Sequence, residues 1–84
     1  MIKAEPEASD RITVLHEHKN FYVIHKPAGI PFHSEDSLAG IVQLTKDHLN
    51  EESLFPVHRL DKMTSGLMVF AKNRETNSAL SRCF

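Results

Sequence analysis

The sequence predicts an α+β domain, and three observations predict it. Runs of β-branched and apolar residues at 11–15, 21–24 and 67–71 read as strands. Residues 37–49 place Leu38, Ile41, Val42, Thr45 and Leu49 at helical spacing on one face, with Lys46, Asp47 and Asn50 largely on the other. Asn73 stands where a side-chain cap would open a last helix near Arg74.

Each element follows from its neighbours. Residues 1–10 are polar, contain Pro6 and lack periodicity, so they read as a loose tail ahead of a domain at 11–84. The polar stretch 16–20 is short enough that the runs on either side predict a hairpin. Residues 21–24 are apolar on both faces, as a strand interior to a sheet would be. Lys26-Pro27-Ala28-Gly29 ends that strand: proline fixes φ and removes a ladder donor, and glycine permits the exit geometry. Pro31 keeps the following residues extended, and Asp36 or Ser37 is placed to cap the first helix. Residues 51–53 read as a loop and 54–57 as a short extended segment. On the last helix Leu80 and Phe84 fall one turn apart, as do Ala79 and Cys83, which predicts Cys83 packed rather than reactive. No glycine, proline or polar tail closes that helix, so the chain is expected to belong to a longer domain.

Composition bounds the function. The chain has 84 residues, 40% hydrophobic and 25% charged, which suits one small globular domain or part of a larger one. No apolar run approaches the roughly 20 residues of a membrane span, and residues 1–7 lack the basic and apolar regions of a signal peptide. A cytoplasmic protein is expected, and the single Cys83, unable to form an internal disulfide, fits a reducing compartment. The net charge of -1 hides an asymmetry: residues 1–52 hold five Lys/Arg against nine Asp/Glu, and residues 53–84 hold five against two. Charge alone reads as ordinary surface. The basic half is nevertheless the half with the densest chemistry, and a locally positive face suits a phosphate backbone.

That chemistry lies in His58-Arg59-Leu60-Asp61-Lys62-Met63-Thr64-Ser65-Gly66 and the strand after it. In an extended segment residues two apart point the same way, so Arg59 and Asp61 can face one site together. Thr64, Ser65 and Gly66 then turn the chain into residues 67–71. A carboxylate at the mouth of a buried strand has its backbone held by the sheet while its oxygens remain reachable.

HRLD followed by TSGLMVFAKN resembles the catalytic motif of the RluA-type pseudouridine synthases. FYVIHKPAGIPFH resembles the same family's first motif, a strand ending in Lys-Pro-x-Gly and followed by an extended Pro/His segment. Order and separation fit, with one helix between, and the resemblance runs from about Arg11 to Phe84. It implies an incomplete catalytic domain built as a mixed, mostly antiparallel sheet with packed helices. It also implies an isomerisation of selected uridines in ribosomal or transfer RNA: the N-glycosidic bond breaks, the uracil rotates, and carbon 5 rejoins the sugar. Asp61 matches the catalytic aspartate, Arg59 the arginine that enters the RNA stack, and His58 and Leu60 positions that shape the loop; His58 is grouped with Arg59 on the RNA side. Lys26, Pro27, Gly29, Thr64, Ser65 and Gly66 match structural motif positions. The carboxylate can act as nucleophile at the anomeric carbon or as base at the sugar, and the target base must be flipped out before it can be reached. The reaction is redox-neutral, so no electron carrier is needed, and the resemblance implies no metal or organic cofactor. The family's later motifs, including a tyrosine that packs on the target base and a basic partner for the aspartate, are absent from these residues; Tyr22 is not that tyrosine. The 84 residues alone are therefore expected to be inactive, with an open sheet edge and an uncovered apolar face.

Other readings fit less well. His16-x-His18 puts two imidazoles on one side of an extended segment, yet no third ligand stands at a metal-site spacing, and turn histidines are the simpler account. Glu35 and Asp36 read as cap and helix-dipole partners rather than as half of a paired-carboxylate hydrolase. Thr64 and Ser65 read as turn hydroxyls rather than phosphate ligands. The competing class is a non-catalytic RNA-binding or remnant protein that retains half of the domain.

Overall fold

The computed structural model describes residues 12–34 and 40–84. They form β1 (Thr13–Glu17), β2 (Phe21–Lys26), α1 (Ile41–Leu49), β3 (Phe55–Pro56), β4 (Gly66–Ala71) and α2 (Arg74–Ser81). The strands make one sheet in the order β1-β2-β4-β3, and every pairing is antiparallel. The architecture is α+β, as the sequence predicts.

The hairpin forms with longer strands and a shorter turn than the polarity of 16–20 suggests. Glu17 pairs with Tyr22, and β2 begins at Phe21, which leaves three residues between the strands. His18 accepts the Asn20 amide on Nδ1 at 3.1 Å and stacks on Phe21 with ring centroids 4.5 Å apart. Polar residues 16 and 17 belong to the strand because β1 is an edge, with exposed side chains there. Leu15 is an extra residue: Val14 pairs with Ile24 and His16 with Val23, so β1 bulges between them.

Alternation along the central strands decides where the core lies. Tyr22, Ile24 and Lys26 of β2 and Met68 and Phe70 of β4 are buried. Ile41 and Leu44 of α1 join them, and Ile12, Ile30 and Leu54 complete the cluster. Leu44 is a core residue that the predicted stripe omitted; Val42 and Leu49 pack only at its margin, and Leu38 lies outside the described residues. The buried face is thus centred on Ile41, Leu44 and Thr45.

Helix α1 starts four residues later than predicted. Gly40 is its extended N-cap with no side-chain cap, and the expected capping residues Asp36 and Ser37 lie outside the described residues. The helix entrance is instead tied to the preceding loop: Ile41 N–H donates to the Pro31 carbonyl at 2.7 Å, and Gly40 N–H to Ser34 Oγ at 3.1 Å. The backbones approach so closely there that a Cβ on Gly40 would sit 2.4 Å from the His33 carbonyl carbon. Asn50, left-handed at φ 54°, closes the other end of the helix.

Helix α2 opens as expected, with Asn73 Oδ1 accepting the Thr76 amide at 2.8 Å. It packs on β3 and β4. Cys83 corrects the expectation of a packed thiol: the regular helix ends at Ser81, and the cysteine lies beyond it, exposed.

The pairing of the two central strands places the two sequence motifs together. β2 and β4 pair from Phe21–Ala71 to Lys26–Gly66. The Lys-Pro turn therefore leaves the sheet at the same end at which the Asp61 loop enters it.

The Gly40 contact predicts that Gly40→Ala, which must separate two backbones rather than move a side chain, costs about 1–3 kcal/mol. Equilibrium urea denaturation of the two chains measures it; equal midpoints would show that the loop gives way freely.

Candidate active site

The site is built outward from a buried cation. Lys26, the last residue of β2, is 0% exposed. Its ammonium donates to four carbonyl oxygens: Pro27 at 3.2 Å, Asp61 at 3.1 Å, Lys62 at 2.9 Å and Thr64 at 2.8 Å. An ammonium has three protons, so at least one is shared. These dipoles stand in for the water that burial removes. Burial pulls the Lys26 pKa below its ordinary value, and the negative charge of Asp61 works in the opposite direction. The Gly29 amide adds a bond to the Lys62 carbonyl at 2.8 Å, from a glycine at φ 96° where side chains are disfavoured. Thr64 N–H donates to the Asp61 carbonyl at 3.0 Å and closes the turn. Thr64 and Ser65 are exposed, and Gly66 opens β4 opposite Lys26.

Leu60 packs against the core. Arg59, Leu60, Asp61 and Lys62 face Pro31, Phe32, His33 and Ser34 across a cleft of about 270 Å³. Arg59 and Asp61 thus both line this cleft, together with Leu60 and Lys62. They do not pair with each other. The Arg59 guanidinium lies over the Phe32 ring, 5.0 Å from its centroid, and Phe32 meets His33 edge to face at 4.6 Å. Asp61 is exposed, and among the described residues its carboxylate has no hydrogen-bond or ion-pair partner.

His58 is turned toward the sheet rather than the cleft. Its Nε2 accepts the Val69 amide at 3.3 Å, next to a bond from Val57 N–H to the Val69 carbonyl at 3.0 Å. The imidazole takes over a ladder position where β3 has already ended, and Phe84 stacks on it at 4.3 Å. Burial pushes its pKa below the ordinary 6.5. His16 and His18 stay at the hairpin, and among the described residues no three His, Cys, Asp or Glu side chains converge as a metal group would. No helix among the described residues is long and apolar enough to cross a membrane.

Phe32 is the site residue that the sequence reading missed. Its signal was an aromatic residue directly after Pro31, on the segment that leaves the Lys-Pro turn.

Residues 20–84 match the family model of RNA pseudouridylate synthases, and the chain belongs to that family. An RNA pseudouridine synthase of Haemophilus influenzae is 40% identical over 73 residues, covering 87% of this chain and 33% of the relative. Ribosomal large subunit pseudouridine synthase D of Borreliella burgdorferi is 36% identical over 84 residues, covering 87% and 26%. Among solved structures, human RNA pseudouridylate synthase domain containing 4 superposes with a TM-score of 0.69 at 35% identity, over 86% of this chain and 29% of that one. The chain spans between a quarter and a third of the length of these relatives.

The clamp and the imidazole each carry an expected outcome. Lys26→Met keeps the stem and removes the donor, leaving carbonyls without a partner; the loss is about 1–3 kcal/mol, and hydrogen exchange at the Gly29 amide accelerates. Unchanged exchange there would mean the loop is held by something else. For His58, the depressed folded-state pKa means that the unfolded chain takes up the proton first. Its contribution is complete above pH 6.5 and falls as pH drops from there toward the folded-state value. Unfolding midpoints between pH 7.5 and 5 (about this interval brackets the change) decline more steeply for the unsubstituted chain than for His58→Leu; parallel declines would contradict the assignment.

Proposed function

We propose that this chain carries the catalytic aspartate of an RNA pseudouridine synthase that isomerises selected uridines of ribosomal or transfer RNA. One observation carries the reading: the Asp61 carboxylate stands exposed in a cleft with no hydrogen-bond or ion-pair partner among the described residues, while the backbone beneath it is pinned by the buried Lys26. Nucleophilic attack at the anomeric carbon and proton removal from the sugar make the same demand. Both need a carboxylate oxygen that is reachable, and whose position is set before the substrate arrives.

The chemistry assigns the neighbours their work. A uridine inside a helix is beyond reach of a carboxylate, so the base leaves the stack. Arg59, beside Asp61 and turned the same way, has the planar cation that stacks on bases and bridges phosphates. His58 supports the loop from the sheet side, through Val69. No electron carrier enters, because bonds broken and formed balance within the nucleoside. The Borreliella relative is named for the large ribosomal subunit, which supports a ribosomal substrate. This chain spans between a quarter and a third of the length of these relatives, and the 84 residues by themselves are expected to convert no uridine.

The test is pseudouridine mapping of cellular RNA after deletion of the full-length gene, with restoration by the wild type or by Asp61→Asn. Loss of specific pseudouridines on deletion, recovery by wild type, and a rate lower by about 10²-fold or more with the asparagine form are expected. Full recovery by Asp61→Asn would remove Asp61 from the mechanism.

A further inference from the structure

Arg59 is parked. A guanidinium that is to engage RNA lies instead across an aromatic ring of its own chain, 5.0 Å from the Phe32 centroid. Phe32 is half-buried, packed in part against the core and in part lining the cleft that holds Asp61. His33 meets it edge-on at 4.6 Å, which braces the ring's orientation. The backbone that carries Phe32 is fixed as well, because its neighbour Pro31 accepts the first amide of α1 and Gly40 N–H bonds to Ser34. The ring is therefore a rigid, preset surface, while the group lying on it is a long and exposed side chain.

Resting on the pseudouridine synthase reading, we propose that Phe32 is a stacking platform for a nucleobase of the substrate RNA, occupied by Arg59 until RNA arrives. Every base has a π-face, and stacking a base on an aromatic ring is worth more than an exposed cation–π contact. The exchange is therefore downhill. It also frees the guanidinium at the moment when phosphates and an emptied stack come within its reach. A cleft of about 270 Å³ lies just under the usual range of small-molecule pockets, about 300–1,000 Å³, and suits one planar base beside the Asp61 carboxylate. Until then Arg59 covers an aromatic surface that would otherwise face water.

The experiment uses the 84-residue chain and two short single-stranded RNAs, one with a central uridine and one abasic at that position, at low salt. Fluorescence anisotropy of labelled RNA compares wild type with Phe32→Leu, which keeps apolar bulk and loses the ring; circular dichroism verifies the fold. The wild type is expected to prefer the uridine RNA by about 5-fold or more. Phe32→Leu is expected to abolish that preference and leave abasic binding unchanged. A second readout needs no variant: in the free chain the ring current of Phe32 shifts the Arg59 side-chain protons upfield in NMR spectra, and the uridine RNA abolishes that shift while the abasic RNA does not. A preference that survives Phe32→Leu, or Arg59 still upfield-shifted in the uridine complex, overturns the platform and leaves the aspartate reading to its own test. Equal affinity for the two RNAs overturns it in the same way. Failure of the wild type to bind either RNA overturns the platform and counts against the RNA-facing assignment of the cleft as well.

Discussion

A single ammonium group, withdrawn from water and surrounded by backbone carbonyls, is the constraint on which the site rests. Lys26 closes β2, and three of its four acceptors belong to the loop that presents Asp61. Such a charge is costly to bury and stays buried only if its acceptors stay in place. The cost therefore fixes geometry: the loop cannot drift without stranding the cation. Because the bonds reach main-chain oxygens, they leave the side chains at 59 and 61 unconstrained. Rigidity beneath and accessibility above come from the same contact.

The sheet supplies the complementary restraint. Antiparallel pairing in full register through Lys26 and Gly66 brings the two loops to one rim. His58 then extends the β4 ladder past the end of β3, using an imidazole nitrogen where a carbonyl would serve. The segment from His58 to Thr64 is thus fastened at both ends, by a side chain accepting from the backbone at one end and a side chain donating to it at the other. Leu60 between them packs partly against the core, while Arg59 and Asp61 are exposed along the cleft.

Much of this was legible from residue order. Strand, helix and cap positions obey local rules: Asn73 caps because its side chain reaches an amide three residues on. The nearness of Arg59 and Asp61 to one cleft follows from their two-residue spacing on one short loop. What local rules could not reach was contact across the fold. Alternation puts Lys26 on the buried face with Tyr22 and Ile24, but its role depends on carbonyls 35 to 38 residues away. The start of α1 moved because Gly40 is committed to His33 and Ser34, a packing decision rather than a propensity. Leu44 was passed over because the apolar stripe, read alone, fits two adjacent faces. Phe32 gained its meaning only when folding laid Arg59 across it.

The two rims of the sheet are unlike its centre. One is β1, kinked where Leu15 is inserted, and the other is β3, with only two paired residues. Among the described residues, neither offers a long, flat row of free amides and carbonyls. A second molecule seeking to add a strand would find a bent template on one flank and a truncated one on the other. Among the described residues the backbone at these flanks is thus a kinked or a very short template, on which few ladder bonds in a row could form.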